Sequence, residues 1–146
     1  MAVIVEFNSE TYDALFRDVL ISYPGLLNAL VADFTRYISS DRLWLPQYFG
    51  REAAYVKPDA AIDAGLMHIH IALPPTVFPD KRPQHDRTCP MNSPQQDAAL
   101  VYTQGLFEED RYSLIAFLHP NAHGKARERE IMNYLVRVAN RFRDKY

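Results

Sequence analysis

The chain is short of most features that announce a chemistry. It has one cysteine, Cys89. That excludes an internal disulfide framework and a cysteine-rich zinc site, and it fits a cytosolic protein. The apolar runs are short and broken by His, Pro or charge, far from the roughly 20 apolar residues of a membrane span. The opening residues, Met1-Ala2-Val3-Ile4-Val5-Glu6, lack the basic start and long apolar stretch of a signal peptide. There is no phosphate-binding Gly-rich loop, no Gly-x-Ser-x-Gly, no His-Glu-x-x-His and no dinucleotide fingerprint. The formal charge is only −2, so nothing global points to a nucleic-acid partner.

What is present is a globular composition: 146 residues, 48% hydrophobic and 23% charged. Length and composition predict a single domain over 1–146. The charge is uneven. Residues 1–66 hold 5 Lys/Arg against 9 Asp/Glu, whereas residues 119–146 hold 7 against 3, with His119 and His123 in addition. An anionic partner would meet the C-terminal half.

Apolar periodicity predicts the elements. Val3, Ile4, Val5 and Phe7 mark a strand over 2–7. Helical spacing follows over 10–21 and, after Pro24-Gly25, over 25–39. Residues 40–65 carry no clear period, with a short helical turn expected near 51–55, and Trp44, Tyr48, Phe49 and Tyr55 read as packing residues. Residues 66–73 alternate, with Met67, Ile69, Ile71 and Leu73 on one face and His68, His70 and Ala72 on the other. A connection over 74–97 holds six of the ten prolines, and its length suggests a functional or mobile segment. Strands over 98–104 and 112–118 pair as a hairpin, Asn121 is placed to cap a helix, and a final helix runs over 123–144. The order β-α-α-β-β-β-α predicts an α+β fold, a mostly antiparallel sheet with helices packed on one face. The other face would be free for chemistry.

His68-x-His70 offers two imidazoles on one side of a strand, suited to metal binding or to acid–base work near pH 7. His123 and Arg127 are one helical turn apart with Lys125 between them, a basic helix start suited to phosphate. Tyr102 can pack, stack on a base or donate a hydrogen bond. Cys89 has no obvious base beside it in the sequence.

Several of these pieces recur in one order: Phe49-Gly50-Arg51, His68-Ile69-His70, Arg87-Thr88, Leu100-Val101-Tyr102-Thr103-Gln104-Gly105, Leu114-Ile115-Ala116, Pro120-x-x-His123-x-x-Ala126-Arg127 and Phe142-Arg143. This series resembles the YafO family of type II toxins over residues 49–146. The resemblance implies a RelE-like fold and a ribosome-dependent endoribonuclease that acts on mRNA during translation and is silenced by a cognate antitoxin. It implies metal-free transesterification with no cofactor, in which the RNA 2′-OH attacks the adjacent phosphorus and expels the 5′-oxygen. On that view His68, His70, Arg87, His119, His123 and Arg127 are the catalytic set. Either histidine of the pair is a candidate base, His119 or His123 a candidate acid, and Arg87 and Arg127 candidate phosphate ligands. Arg51, Arg82, His85, Tyr102, Gln104 and Lys125 would then contact RNA. A His-ligated metal-dependent hydrolase and a non-catalytic protein-binding module are the competing readings. Arg87, His123 and Arg127 are expected to converge beside the histidine pair, with both arginines exposed.

Overall fold

The structure is a computed structural model that describes residues 2–146. Five strands form one sheet: β1 (Ile4–Phe7), β2 (Phe49–Ala54), β3 (Met67–Ile71), β4 (Ala98–Gln104) and β5 (Arg111–Leu118). Their order across the sheet is β1-β5-β4-β3-β2, with β1 parallel to β5 and every other pairing antiparallel. This mixed, mostly antiparallel α+β arrangement is consistent with a RelE-like fold. The strand β2 occupies the segment that carried no clear period and the place where a helical turn was expected.

Between β1 and β2 come α1 (Tyr12–Leu15), α2 (Arg17–Ser22) and α3 (Pro24–Ser39), and α4 (Ala60–Asp63) follows β2. The expected helix over 10–21 is thus two short helices meeting at Phe16, which is itself fully buried. Pro24 sits in the first turn of α3, where its missing N–H costs no hydrogen bond. Leu26, Leu30, Phe34, Tyr37 and Ile38 of α3 are buried at helical spacing. They pack on Ile69, Ile71, Leu100 and Leu114 of the sheet.

The expectation that all helices share one face is corrected. The final helical segment covers the opposite face. It consists of α5 (Ala122–Lys125) and α6 (Arg129–Lys145), so the predicted helix over 123–144 is interrupted at residues 126–128. Met132, Leu135, Val136, Val138 and Ala139 of α6 meet Ala99, Val101, Ile115, Ala116 and Leu118. The reason lies in the central strands. All of β4 but its last residue is buried, and a strand buried on both faces has to be covered on both. Because α6 lies over β4 and β5, part of β3 on that face stays open. Residues 74–97 are not structureless. Two single 3₁₀ turns, at 84–86 and 94–96, shape them. The backbone of Arg51 donates to the Arg87 carbonyl at 2.8 Å, which lays this segment along the β2 edge. Gly50 is needed there, since a Cβ would lie 2.4 Å from the same carbonyl.

Candidate active site

The register of β3 sets the site. His68 stands opposite Val101 and His70 opposite Ala99, and both partners belong to the α6 side of the sheet. Ile69 and Ile71 are fully buried on the α3 side. The period of two therefore puts both imidazoles on the face opposite α1–α3. They open into a cavity of about 220 Å³ between the sheet and α5, to which His123 and Arg127 also contribute. The ring centroids of His68 and His70 are 5.7 Å apart, and those of His70 and His123 are 5.3 Å apart.

Each ring is held differently. His70 is 8% exposed, and its Nδ1 accepts a hydrogen bond from the Cys89 backbone N–H at 3.0 Å. A nitrogen that accepts carries no proton, so the neutral ring bears its hydrogen on Nε2. His68 stacks on Tyr55, with centroids 4.0 Å apart and planes 14° apart. Its buried Nδ1 has no hydrogen-bond partner among the described residues. His123 is tied to Asp97, whose Oδ1 faces His123 Nδ1 at 2.9 Å while Oδ2 accepts from the His123 backbone N–H at 2.8 Å. Asp97 is 1% exposed. A carboxylate accepts, so His123 Nδ1 donates and Nε2 is the free nitrogen. Asn121 adopts a left-handed conformation, and its side chain accepts from the Gly124 N–H, capping α5 and fixing the turn that carries His123.

Electrostatics separate the rings further. Burial pushes His68 down to about 4, with repulsion from His70, His123 and Arg51 acting in the same direction. Burial likewise pushes His70 down to about 4, helped by His123 and Arg51 and opposed by Asp97. Both are neutral at pH 7. Burial also raises the Tyr55 hydroxyl, and the negative charge of Asp97 adds to that shift. Among the described residues, no group of three His, Cys, Asp or Glu side chains is arranged to hold a metal ion.

The other sequence-derived candidates fall elsewhere. Arg87 is 4% exposed, and its guanidinium donates to the carbonyls of Phe49, Asp80 and Arg82. The expectation that it is exposed beside the pair is corrected: it holds the 80–87 segment together. Tyr102 is also corrected as a stacking platform. It is 2% exposed on the α3 side, against Phe34, with its hydroxyl donating to Glu52. His119 faces the Gln95 carbonyl and the edge of Tyr23. Lys125 donates to the Pro120 carbonyl, and Gln104 to the Glu109 carbonyl at 2.6 Å. Arg82 and His85 are exposed on the 74–97 segment, His85 beside Asp86. Arg51 is exposed on β2 and close enough to act on both histidines. The structure thus gathers His68, His70, His123 and Arg127, with Arg51 at hand. Sequence reasoning missed two residues in this role, Asp97 and Tyr55. Nothing in spacing joins Asp97 to a histidine 26 positions away, and Tyr55 reads in sequence as one more packing aromatic.

A family model described as Toxin YafO, type II toxin–antitoxin system, matches residues 35–144. The chain belongs to the YafO toxin family. The match takes in β2 to β5, α5, nearly all of α6 and every residue of the cavity. Membership of a toxin–antitoxin family implies an antitoxin partner. The mRNA interferase toxin YafO of Escherichia coli (strain K12) is 36% identical over 126 residues, covering 82% of this chain and 87% of that protein. No solved structure matches the chain significantly.

Proposed function

We propose that this chain is a ribosome-dependent endoribonuclease, the toxin of its pair, and that it cleaves translated mRNA by metal-free attack of the 2′-OH on the neighbouring phosphorus. The observation that carries the reading is the Asp97–His123 pair facing two neutral histidines and Arg127 in one cavity. Family membership and the mRNA interferase activity named for the Escherichia coli relative support it.

The groups divide the work by their protonation. His123, oriented through Nδ1, presents a lone pair at Nε2 and takes the 2′-OH proton, and Asp97 stabilises the imidazolium that forms. His70 offers a fixed Nε2–H, a donor for a phosphorane oxygen. Arg127 supplies a permanent cation on the same cavity. His68 is neutral in the free protein. A phosphate entering beside it adds negative charge, which raises its proton affinity and loads it as the acid for the leaving 5′-oxygen. The P–O bond to the 2′-oxygen forms as the P–O5′ bond breaks, leaving a 2′,3′-cyclic phosphate and a 5′-OH. The protein is not strongly basic, with a formal charge of −2. Free RNA therefore binds poorly, and the ribosome supplies the positioning. Partners are thus the translated mRNA and a cognate antitoxin, the place of action is the cytoplasm where ribosomes work, and 1–146 acts as one toxin domain.

The test is cleavage of a reporter mRNA in a reconstituted translation system, with the ends of the products analysed. Wild-type protein should cut only translated message and leave cyclic phosphate and 5′-OH ends, and His123→Ala should not cut. Intact message with wild-type protein, or 5′-phosphate ends, would overturn the reading.

A further inference from the structure

Arg127 faces more than the histidine cavity. A second cavity, of about 560 Å³, lies on the far side of that residue, between the Lys57–Asp59 segment and the corner joining α5 to α6. Ala126 and Arg127 line both cavities, so the two adjoin across these residues. Its size is in the range of sites that take a nucleotide-sized ligand, about 300–1,000 Å³.

Its chemistry is mixed in a particular way. Lys57, Arg127 and Arg129 bring three cations, and none of them forms an ion pair within 4.0 Å among the described residues. Cations left unpaired around a concave surface suit an anion from outside. Asp59 and Glu128 face the same space. Asp59 stands at the N-cap of α4 yet makes no side-chain capping bond, so its carboxylate is free to accept from a ligand. Pro58 and the buried Met132 provide apolar surface between the charges. Cations for phosphate, apolar surface for a base face and carboxylates for exocyclic amino groups are the three contacts that a nucleotide needs.

We propose that this second cavity receives the nucleotide next to the scissile phosphate of a single-stranded RNA. Lys57 and Arg129 hold its phosphate. Asp59 and Glu128 accept from a base that carries an amino group, which favours adenine, cytosine or guanine over uracil. The proposal rests on the nuclease reading of the histidine cavity and extends it to a subsite.

The experiment separates the two. The full chain is titrated with an uncleavable 2′-deoxy trinucleotide and with a mononucleotide, and backbone amide shifts are followed by NMR. The trinucleotide should shift His70, His123, Lys57, Asp59 and Arg129, and the mononucleotide mainly the first two. Lys57→Ala/Arg129→Ala should weaken the trinucleotide about 10-fold with unchanged melting, and should lower the salt slope of binding by roughly 0.7 for each phosphate left without its cation. A uracil at the adjoining position should bind more weakly than adenine. Shifts at His70 and His123 alone would overturn the subsite and leave the nuclease reading standing. Shifts at neither cavity would overturn the subsite, whereas the nuclease reading is decided separately by product ends in reconstituted translation. Equal binding of uracil and adenine would overturn the base recognition.

Discussion

Asp97→Asn changes one atom of the side chain and should stop the proposed chemistry. The carboxylate makes two bonds, one to the His123 backbone N–H at 2.8 Å and one to the ring Nδ1 at 2.9 Å. Both carboxylate oxygens accept, whereas an amide has one acceptor and one donor. If the amide oxygen keeps the backbone N–H, its NH₂ faces Nδ1 and forces the ring into the tautomer protonated at Nε2. That form has no lone pair for the 2′-OH proton. If the amide is flipped, its NH₂ meets the backbone N–H and two donors oppose each other in a buried place. The first arrangement is the less costly. A hydrogen bond to a charged group contributes about 1.5–3 kcal/mol, and each 1.36 kcal/mol is about tenfold in rate. Losing the support of the imidazolium and the correct tautomer together should lower cleavage by on the order of 10²-fold or more. Stability should fall by only about 1–3 kcal/mol, because both contacts persist as neutral hydrogen bonds in place of charge-assisted ones. The assay is the cleavage rate in reconstituted translation, with urea unfolding of the same preparation and ¹⁵N NMR of the ring tautomer. A variant that cuts at close to the wild-type rate would refute the role of His123 as an oriented base.

Three further outcomes follow from the geometry. Stability should depend on pH through the histidine pair. Their folded pKa values of about 4 lie below the ordinary 6.5, so the unfolded chain takes up protons first, and stability present above pH 6.5 is lost as pH falls toward 4. For one such imidazole the loss approaches on the order of 3 kcal/mol. Urea midpoints at pH 7.5, 6 and 5 should fall for wild type and flatten in His68→Asn/His70→Asn, and a flat wild-type series would contradict the burial argument. The two arginines should separate cleanly. Arg127→Ala should cost on the order of 10²-fold in cleavage with unchanged melting, whereas Arg87→Ala should destabilise by about 2–4 kcal/mol because three carbonyls lose their donor. The reverse pattern in melting scans would move the phosphate-binding role back to Arg87. Glu52→Ala should destabilise by about 3 kcal/mol, since Tyr37, Arg42 and Tyr102 all donate to this carboxylate. It should leave the product ends unchanged, and loss of cutting at full stability would show that the network reaches the site.

Whatever depends on neighbours along the chain is legible in the residues themselves. Strict alternation from Met67 to Ile71 decides that His68 and His70 share a face, because a strand's side-chain period is two whatever packs on it. The spacing of Leu26, Leu30, Phe34 and Ile38 decides α3 and its buried stripe. Motif order decides the family. The remainder needs the assembled fold. Ala98 to Thr103 lacks alternation, and that signals two covered faces, but no local pattern says which helix supplies the second cover. That helix is α6, and its placement brings His123 to His70. Asp97 and His123 meet only because one lies at the start of β4 and the other beyond the end of β5, and antiparallel strands return the chain to the same edge. Arg87 and Tyr102 read as ligands because arginine and tyrosine suit RNA. Burial assigns them to structure instead, and burial depends on what lies above a residue in space, where the chain order is silent.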